Sequence, residues 1–352
     1  MEKKKMSIYE IAREAGVSAA TVSRVINQPE KVVPEKRERV LEIIRKYDFR
    51  PNVFAKSLKN ARSGVIGLLT ASVDSPFHGQ LVAKCVQAAK AQGYVLLMAS
   101  YQCGGEEVGL LEKIYEQRVE SAILLGGGMD SRTENEQFLF VVNQIADTIP
   151  VVVMGNAQGV PCYEVRIDEG GAMEQAMAYL IGKGHRKIAF WGGMENMYSV
   201  REKRYAYQRM VYRNGLEFCE EWLQYGGYEQ EEGYRLMTGI RRECLPMAVV
   251  SVNDQFACGV MKAAFDAGLR IPQELSVVSF DNTYLAAGVR PALSSVACDY
   301  TELAERLVET AVRAAQGENT GEDAGIKRLQ LVGTSLTERE SSGQIAENGA
   351  KF

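Results

Sequence analysis

Histidine is scarce in this chain of 352 residues, with His78 and His185 the two examples. Its seven cysteines, Cys85, Cys103, Cys162, Cys219, Cys244, Cys258 and Cys298, are scattered and show no C-x-x-C spacing. No local motif can therefore supply the nitrogen and sulfur ligands of a zinc site, so no metal and no cofactor are expected. Reduced, packed thiols are expected instead. No secretory apolar region follows Met1 and no run approaches the ~18 apolar residues of a membrane span, which makes the cytoplasm the expected location. Gly126, Gly127 and Gly128 lack the ordered spacing of a phosphate loop. His185 lies in a KGHRK turn, expected at the surface, with no Ser or Cys nucleophile motif beside it. Catalysis is therefore not expected.

What is present begins with uneven charge. Residues 1–62 hold 15 Lys and Arg against 8 Asp and Glu, while the remaining 290 hold 26 against 37, for a net charge of −4 overall. A basic head on an acidic body assigns any contact with a polyanion to the head. The length allows two or three domains with a substantial core.

The head contains two short helical patterns. Ser7 and Glu10 form an S-x-x-E capping box with Met6 and Ile11 as its hydrophobic staple, and Ile8, Ile11, Ala12 and Ala15 form an apolar stripe. Gly16 stands where a left-handed residue ends the first helix. Ser18 is the next N-cap, with Val17 and Val22 as staple. At about 100° per residue, Val22, Val25 and Ile26 share one face of SAATVSRVIN, while Ala20, Arg24 and Asn27 point away from it, flanked by Thr21 and Ser23. Two helices joined by a glycine turn read as a helix-turn-helix. The alternative, a generic helical hairpin, fits less well because the free face carries Arg, Ser, Thr and Asn in place of a Glu/Lys mixture. Pro34 opens a third helix, whose Val40, Ile43, Ile44 and Tyr47 are expected to close a three-helix core.

The run SIYEIAREAGVSAATVSRVIN, followed by VVPEKRERVLEIIRKYDFRPNVFAKSL, resembles the headpiece of the LacI/GalR family of bacterial transcriptional regulators, nearest to its catabolite-control branch. Family members often cap the third helix with Ser or Thr, where this chain has Val33. The stretch RPNVFAKSL resembles the family's hinge helix, which orders on DNA, with two copies entering the minor groove and a leucine, here Leu58, wedging into a base step. Pro51–Asn60 is too short for a helix stable alone in water, which suits folding coupled to binding; the alternative is a charged linker.

Beyond Arg62, short β-rich runs (VIGLLTA, VLLMAS, AILL, PVVVM, then KIAFW, AVVSVN, LSVVSF) alternate with helical stretches. This predicts an α/β body of two doubly wound parallel sheets. A ligand is expected where the strand carboxyl ends of the two halves face each other. The motifs SVDSPFHGQL, KGHRKIAF, VNDQFACGVMKAAFDAGLRIPQELSVVSFDN and RPALSSV are similar to the family's periplasmic-binding-protein-like body, whose chain crosses between subdomains three times. Those crossings are expected near Glu164, Leu293 and Lys327. The domains are then 1–50 (helix-turn-helix), 51–62 (hinge) and 63–340 (effector binding and dimerisation), with 63–164 and 294–327 as one subdomain, 165–293 and 328–340 as the other, and a disordered tail over 341–352.

The resemblance implies a DNA-binding regulator that grips a palindromic operator as a homodimer, with a tetramer left open, and answers to a small-molecule effector, a sugar or derivative. A repressor is favoured over an activator. The rival reading is a sugar-binding protein or sugar-acting enzyme with the same body. The expected DNA contacts are Ser18, Ala19, Ala20, Thr21, Ser23, Arg24 and Asn27, together with Asn52, Ala55, Lys56 and Leu58 of the hinge. Arg24 suits bidentate contact with guanine; Ser18, Thr21, Ser23 and Asn27 suit phosphates. The expected effector contacts are Phe77, His78, Asn156, Arg201, Tyr228, Asn253 and Asp281, near strand ends, where aromatic faces and hydroxyl-binding groups converge. For Asp281 and Asn253 the alternative is a purely local capping role.

Overall fold

The computed structural model describes residues 6–47, 49, 62–102, 105–126, 136–157, 159–318 and 328–344. The expected hinge contacts Asn52, Ala55, Lys56 and Leu58, the glycines Gly127 and Gly128, and the crossing near Lys327 lie outside these residues. The chain divides into two compact units between Ser63 and Gly64.

In the first unit, α1 (Ile8–Ala15) starts with the capping box complete. The Ser7 hydroxyl accepts from Glu10 N at 3.3 Å, and the Glu10 carboxylate accepts from Ser7 N at 2.8 Å. Gly16 ends it at φ 67°, where a side chain would be strained. The turn leads into α2 (Ala19–Asn27), and Pro34 opens α3 (Pro34–Lys46), whose cap residue Val33 supplies no side-chain hydrogen bond. Ile11, Ala12, Ala15, Val22, Val25, Val40 and Ile43 form the core. Tyr47, expected in that core, is instead exposed: α3 ends one residue earlier, and the phenol reaches back to donate to Glu14 at 3.1 Å beside the Lys46 ammonium at 2.8 Å.

The second unit holds two six-stranded sheets. With β1 (Val65–Ala71), β2 (Val95–Tyr101), β3 (Ser121–Leu125), β4 (Val151–Met154), β5 (Tyr163–Ile167) and β11 (Leu329–Val332), the N-lobe order is β11-β5-β4-β3-β1-β2, all parallel. With β6 (Ile188–Trp191), β7 (Leu223–Gln224), β8 (Ala248–Ser251), β9 (Ser276–Phe280), β10 (Ser294–Cys298) and β12 (Thr334–Thr337), the C-lobe order is β12-β10-β9-β8-β6-β7. That sheet is parallel except where β12 runs against β10. The central strands β1, β3, β4, β6, β8 and β9 are almost wholly apolar and buried because helices cover both faces, whereas the edge strands β2, β11 and β12 are partly exposed. Alternation then sorts the N-lobe side chains. Leu68, Ile123, Leu125 and Val152 pack on one face, against α4 (Pro76–Ala91) and α12 (Tyr300–Ala315). Leu69, Ala122, Leu124 and Val153 pack on the other, against α5 (Glu106–Glu116) and α6 (Glu136–Ala146). Contact is so close at Gly67 that a Cβ there would meet Ile114 Cγ2 at 2.3 Å.

The chain passes between the sheets at Asp168, Asp299 and Gly333, a few residues beyond each expected crossing, because β5, β10 and β11 each run on past it. Two of these turning points also cap the next helix. Asp168 accepts from Gly171 N at 2.9 Å at the head of α7 (Glu169–Gly182), and Asp299 accepts from Thr301 N at 2.7 Å at the head of α12.

Two expectations need correcting. The KGHRK histidine is not at the surface: His185 is 2% exposed, its Nε2 lying 3.1 Å from the Gly343 carbonyl oxygen. The tail does not begin at Ser341. Ser341 N donates to Ala292 O at 2.8 Å and its hydroxyl to Val277 O at 2.6 Å, while the Ser342 hydroxyl meets those of Ser294 at 2.7 Å and Tyr179 at 3.0 Å. A serine-rich stretch resembles a linker in composition, but here each hydroxyl has a buried partner; residues 345–352 lie outside the described region. The six described cysteines are unpaired.

Candidate DNA-reading face and ligand cleft

On α2 the buried Val22 and Val25 fix the helix against α1 and α3, which turns Ala20 and Arg24, one turn apart, out to solvent. No salt bridge to a described residue holds Arg24, so its guanidinium fork is available on the outer face. Ser18 is exposed, but its hydroxyl accepts from Thr21 N at 3.2 Å and lies 3.0 Å from the Thr21 hydroxyl. Ala19 is half-buried against the core; Thr21 and Ser23 are half-buried at its edges, and Asn27 closes the helix. The geometry is that of a short helix offering one small residue and one cation to a groove, with hydroxyls beside them.

In the body, the carboxyl ends of the parallel strands gather the other candidates. After β1, the first turn of α4 carries Phe77 and His78, whose rings meet edge-on at 5.3 Å. Phe77 also lies 5.6 Å from the ring of Tyr300, which opens α12, and the Tyr300 hydroxyl donates to Asp281 O at 2.9 Å. Burial holds His78 neutral, its pKa lowered to about 4, and its Nδ1 is enclosed without a partner. Asn156 follows β4 and accepts from Arg166 Nη2 at 2.9 Å. Arg166 also pairs with Glu164 and donates to the Tyr198 hydroxyl at 3.4 Å, so it joins the N-lobe to the head of α8 (Tyr198–Arg213). Asn156, Pro161, Glu164, Arg166 and Arg328 line an open recess of about 620 Å³.

On the C-lobe side, Asp281 follows β9 at φ 90°, a rare conformation for a residue with a Cβ. Burial, with the Asp254 carboxylate nearby, pushes its pKa well above the usual range, against the opposing pull of Lys203. Asn253 caps α10 (Asp254–Asp266): its side-chain oxygen accepts from Phe256 N at 2.8 Å, which leaves the amide nitrogen and one oxygen lone pair for a ligand. Arg201 sits in the first turn of α8, its guanidinium 5.9 Å from the Tyr198 ring. Tyr228 is half-buried before α9 (Gln230–Gly239), its backbone N donating to Glu229 at 2.9 Å.

Sequence reasoning missed several residues that touch these candidates. Lys203, 6% exposed, pairs with Glu169 and lies 4.8 Å from the Phe280 ring, close enough to Asp281 to act on its carboxyl. A spacing of two from Arg201 puts it on a different face of the helix, so the sequence offered no signal for it. Arg166, Tyr198 and Tyr300 offered none, since their placement depends on the crossings at Asp168 and Asp299. Asp254 is buried and accepts from Ser279 Oγ at 2.5 Å, Ser295 Oγ at 2.8 Å, and Thr283 N and Oγ1 at 2.6 and 2.9 Å. That network fixes the loop that carries Asp281. Among the described residues no group of three or more His, Cys, Asp or Glu could hold a metal ion, and no helix is long and apolar enough to cross a membrane.

A helix-turn-helix with an outward reading face, on a chain whose body gathers polar and aromatic side chains at the strand carboxyl ends of two α/β lobes, defines a DNA-binding transcriptional regulator with a ligand-binding body. Residues 7–52 match the family described as bacterial regulatory proteins, lacI family, and residues 177–342 match a periplasmic binding protein-like domain. Catabolite control protein A of Staphylococcus xylosus is 32% identical over 293 residues, 83% of this chain and 87% of that protein. The structure of the Lac repressor dimer bound to operator and the anti-inducer ONPF superposes with a TM-score of 0.85 at 25% identity, over 97% of this chain and 100% of that one. A complex of the transcriptional regulator CelR with cellobiose gives 0.68 at 25% identity, over 96% and 100%. The chain belongs to the LacI family of bacterial regulatory proteins. Like its relatives it is a regulator of transcription and not an enzyme.

Proposed function

We propose that two copies of this chain grip a palindromic operator, and that a polyhydroxylated small molecule, a sugar or derivative, closes the cleft and alters the grip. The observation that carries the reading is the outward face of α2, where Ala20 and Arg24 stand clear of the core. Arg24 would read guanine O6 and N7, and Ala20 a thymine methyl. Ser18, Thr21, Ser23 and Asn27 would hold phosphates and set register, Ala19 offers no side-chain hydrogen bond, and Asn52, Ala55, Lys56 and Leu58 would supply minor-groove contacts and the wedge. In the cleft, Phe77 and Tyr228 would stack on the ligand's apolar face, while His78, Asn156, Arg201, Asn253 and Asp281 meet its hydroxyls.

Exposed Val86, Val95 and Met98 along α4 and the edge strand β2 support pairing of two bodies, since a monomer gains nothing from an apolar sheet edge. A two-fold assembly implies a two-fold site. The Lac repressor dimer on its operator and the cellobiose complex of CelR support the duplex and sugar parts, and the relatives favour repression. Action on chromosomal DNA supports a cytoplasmic location.

The test is fluorescence anisotropy of the full-length protein on genomic fragments, then on the palindromes they yield. Wild type should prefer its palindrome by about 10³-fold or more over random duplex, two chains per site. Arg24→Ala should lose about 1–3 kcal/mol of that preference. Equal affinity for every duplex would sink the proposal.

A further inference from the structure

We propose that Cys219 and Cys244 form a modification site, a dithiol that a hydroperoxide converts to a reversible disulfide within one chain. The site lies where the segments leading into β7 and β8 meet, at the amino ends of the C-lobe strands and so opposite the carboxyl ends that carry the effector candidates. Of the six described cysteines, Cys85, Cys162 and Cys298 are buried. Cys258 is partly exposed on α10, near the charge of Asp254. Cys219 and Cys244 are both partly exposed, and their thiols meet.

Trp222 fixes that meeting. Its backbone N donates to Cys219 O at 2.9 Å and its indole Nε1 to Cys244 O at 2.5 Å, so one buried residue anchors both cysteine backbones. Arg241 adds a second anchor. It pairs with Glu221, its carbonyl oxygen accepts from Cys244 N at 2.9 Å, and its Nη2 lies 3.4 Å from Cys244 Sγ. A disulfide closes readily only between cysteines whose backbones already hold the two sulfurs together. Because β7 and β8 flank β6, the bridge would clasp the lead-ins of two strands across the start of a third.

The surroundings give the two sulfurs different roles. Contact with Cys219 is the main influence pushing the Cys244 thiol up to about 11, so Cys244 keeps its proton at neutral pH. Cys219 therefore attacks the peroxide first. An S–O bond forms, the O–O bond breaks, and the alcohol, or water from hydrogen peroxide, leaves with the thiol proton. Oxidation of Cys219 removes the thiol that raised Cys244 and leaves the Arg241 guanidinium, which favours a thiolate. The Cys244 sulfur then attacks the sulfenic sulfur: the S–S bond forms, the S–O bond breaks, and hydroxide leaves as water with the Cys244 proton. The two thiols together give up two electrons, and the peroxide takes them.

The experiment exposes the reduced full-length protein to hydrogen peroxide and reads intact mass and a tryptic map, before and after dithiothreitol. One bridge per chain should form with loss of two hydrogens, link the peptides of Cys219 and Cys244, and open again in dithiothreitol. Cys244→Ser should stop at a sulfenic acid on Cys219 that dimedone captures. Cys219→Ser should give no bridge, and Cys258→Ser should give the wild-type one. A bridge to any other cysteine, a bridge between chains, a sulfinate at Cys219 without a bridge, or unchanged thiols would each overturn the proposal. The wild-type map decides the matter by itself, so a variant that fails to fold does not shelter it.

Discussion

In the headpiece, the residues that define the fold lie within a few positions of their partners: Ser7 with Glu10, Ser18 with Thr21. In the body, the defining contacts join distant stretches: Asp254 with Ser295, Tyr300 with Asp281, His185 with Gly343. The headpiece therefore depends on capping and on a seven-residue core, and the body on long-range burial. Damage to one should leave the other standing, and a failure of that independence would be the clearest way to break the comparison.

The largest effect is expected at Asp254. Replacement by Ala leaves the hydroxyls of Ser279, Ser295 and Thr283 and the Thr283 N–H without their acceptor. Each orphaned buried group costs ~1–3 kcal/mol, and after rearrangement the loss should be on the order of 4 kcal/mol. Trp191 and Trp222, the two tryptophans of the chain, both belong to the C-lobe core, so urea unfolding followed by indole fluorescence reads this unit directly. A loss below about 1 kcal/mol would mean that the network is ornamental. Headpiece helicity, followed by proton NMR of the Ile11 and Val22 methyls, should not change.

The converse substitution is Ile11→Ala. Ile11 is fully buried in the headpiece, and its truncation should cost ~2–5 kcal/mol. A core so small has little reserve, so the headpiece should unfold and operator binding should vanish. Tryptophan-monitored unfolding of the body should keep its midpoint. A shifted midpoint would show that the two units are thermodynamically one.

The same contrast explains what could be read in advance. Helix starts, the Gly16 turn and the Ala20/Arg24 face follow from period and capping chemistry, which need only neighbouring residues. Tyr47 is the exception, because a phenol at the end of a stripe can equally well leave the core for a carboxylate such as Glu14. In the body, the alternation of strands and helices disclosed two sheets, and the strand ends correctly placed Asp281 just after β9 and Asn253 just after β8. Lys203 and Glu169 went unnoticed because a buried ion pair reads as two solvated charges until the fold brings α7 and α8 together. Ser341 and Ser342 read as tail because serine is polar, yet they close hydrogen bonds beneath β9 and β10.

The smallest effect sharpens the comparison by pH. His78 has an unfolded-state pKa near its ordinary 6.5 and a folded-state value of about 4, so between these the unfolded chain binds more protons. Its contribution is present above pH 6.5 and is lost as pH falls toward 4, amounting to about 2 kcal/mol between pH 7 and pH 5. Asp281 works in the opposite sense: its raised pKa makes the folded state the better proton acceptor above pH 3.8, so its share of stability falls as pH rises. Asp254, also raised by burial, acts with Asp281, and His185, lowered by burial, acts with His78, so the wild-type slope combines these opposed groups. His78→Phe removes one contributor and leaves the others, so its body should lose about 2 kcal/mol less than wild type on acidification from pH 7 to 5. Headpiece stability, with no histidine in the unit, should match wild type throughout. Equal slopes in the two proteins would mean that His78 takes up its proton without leaving the cleft, and that the enclosed Nδ1 is open to water.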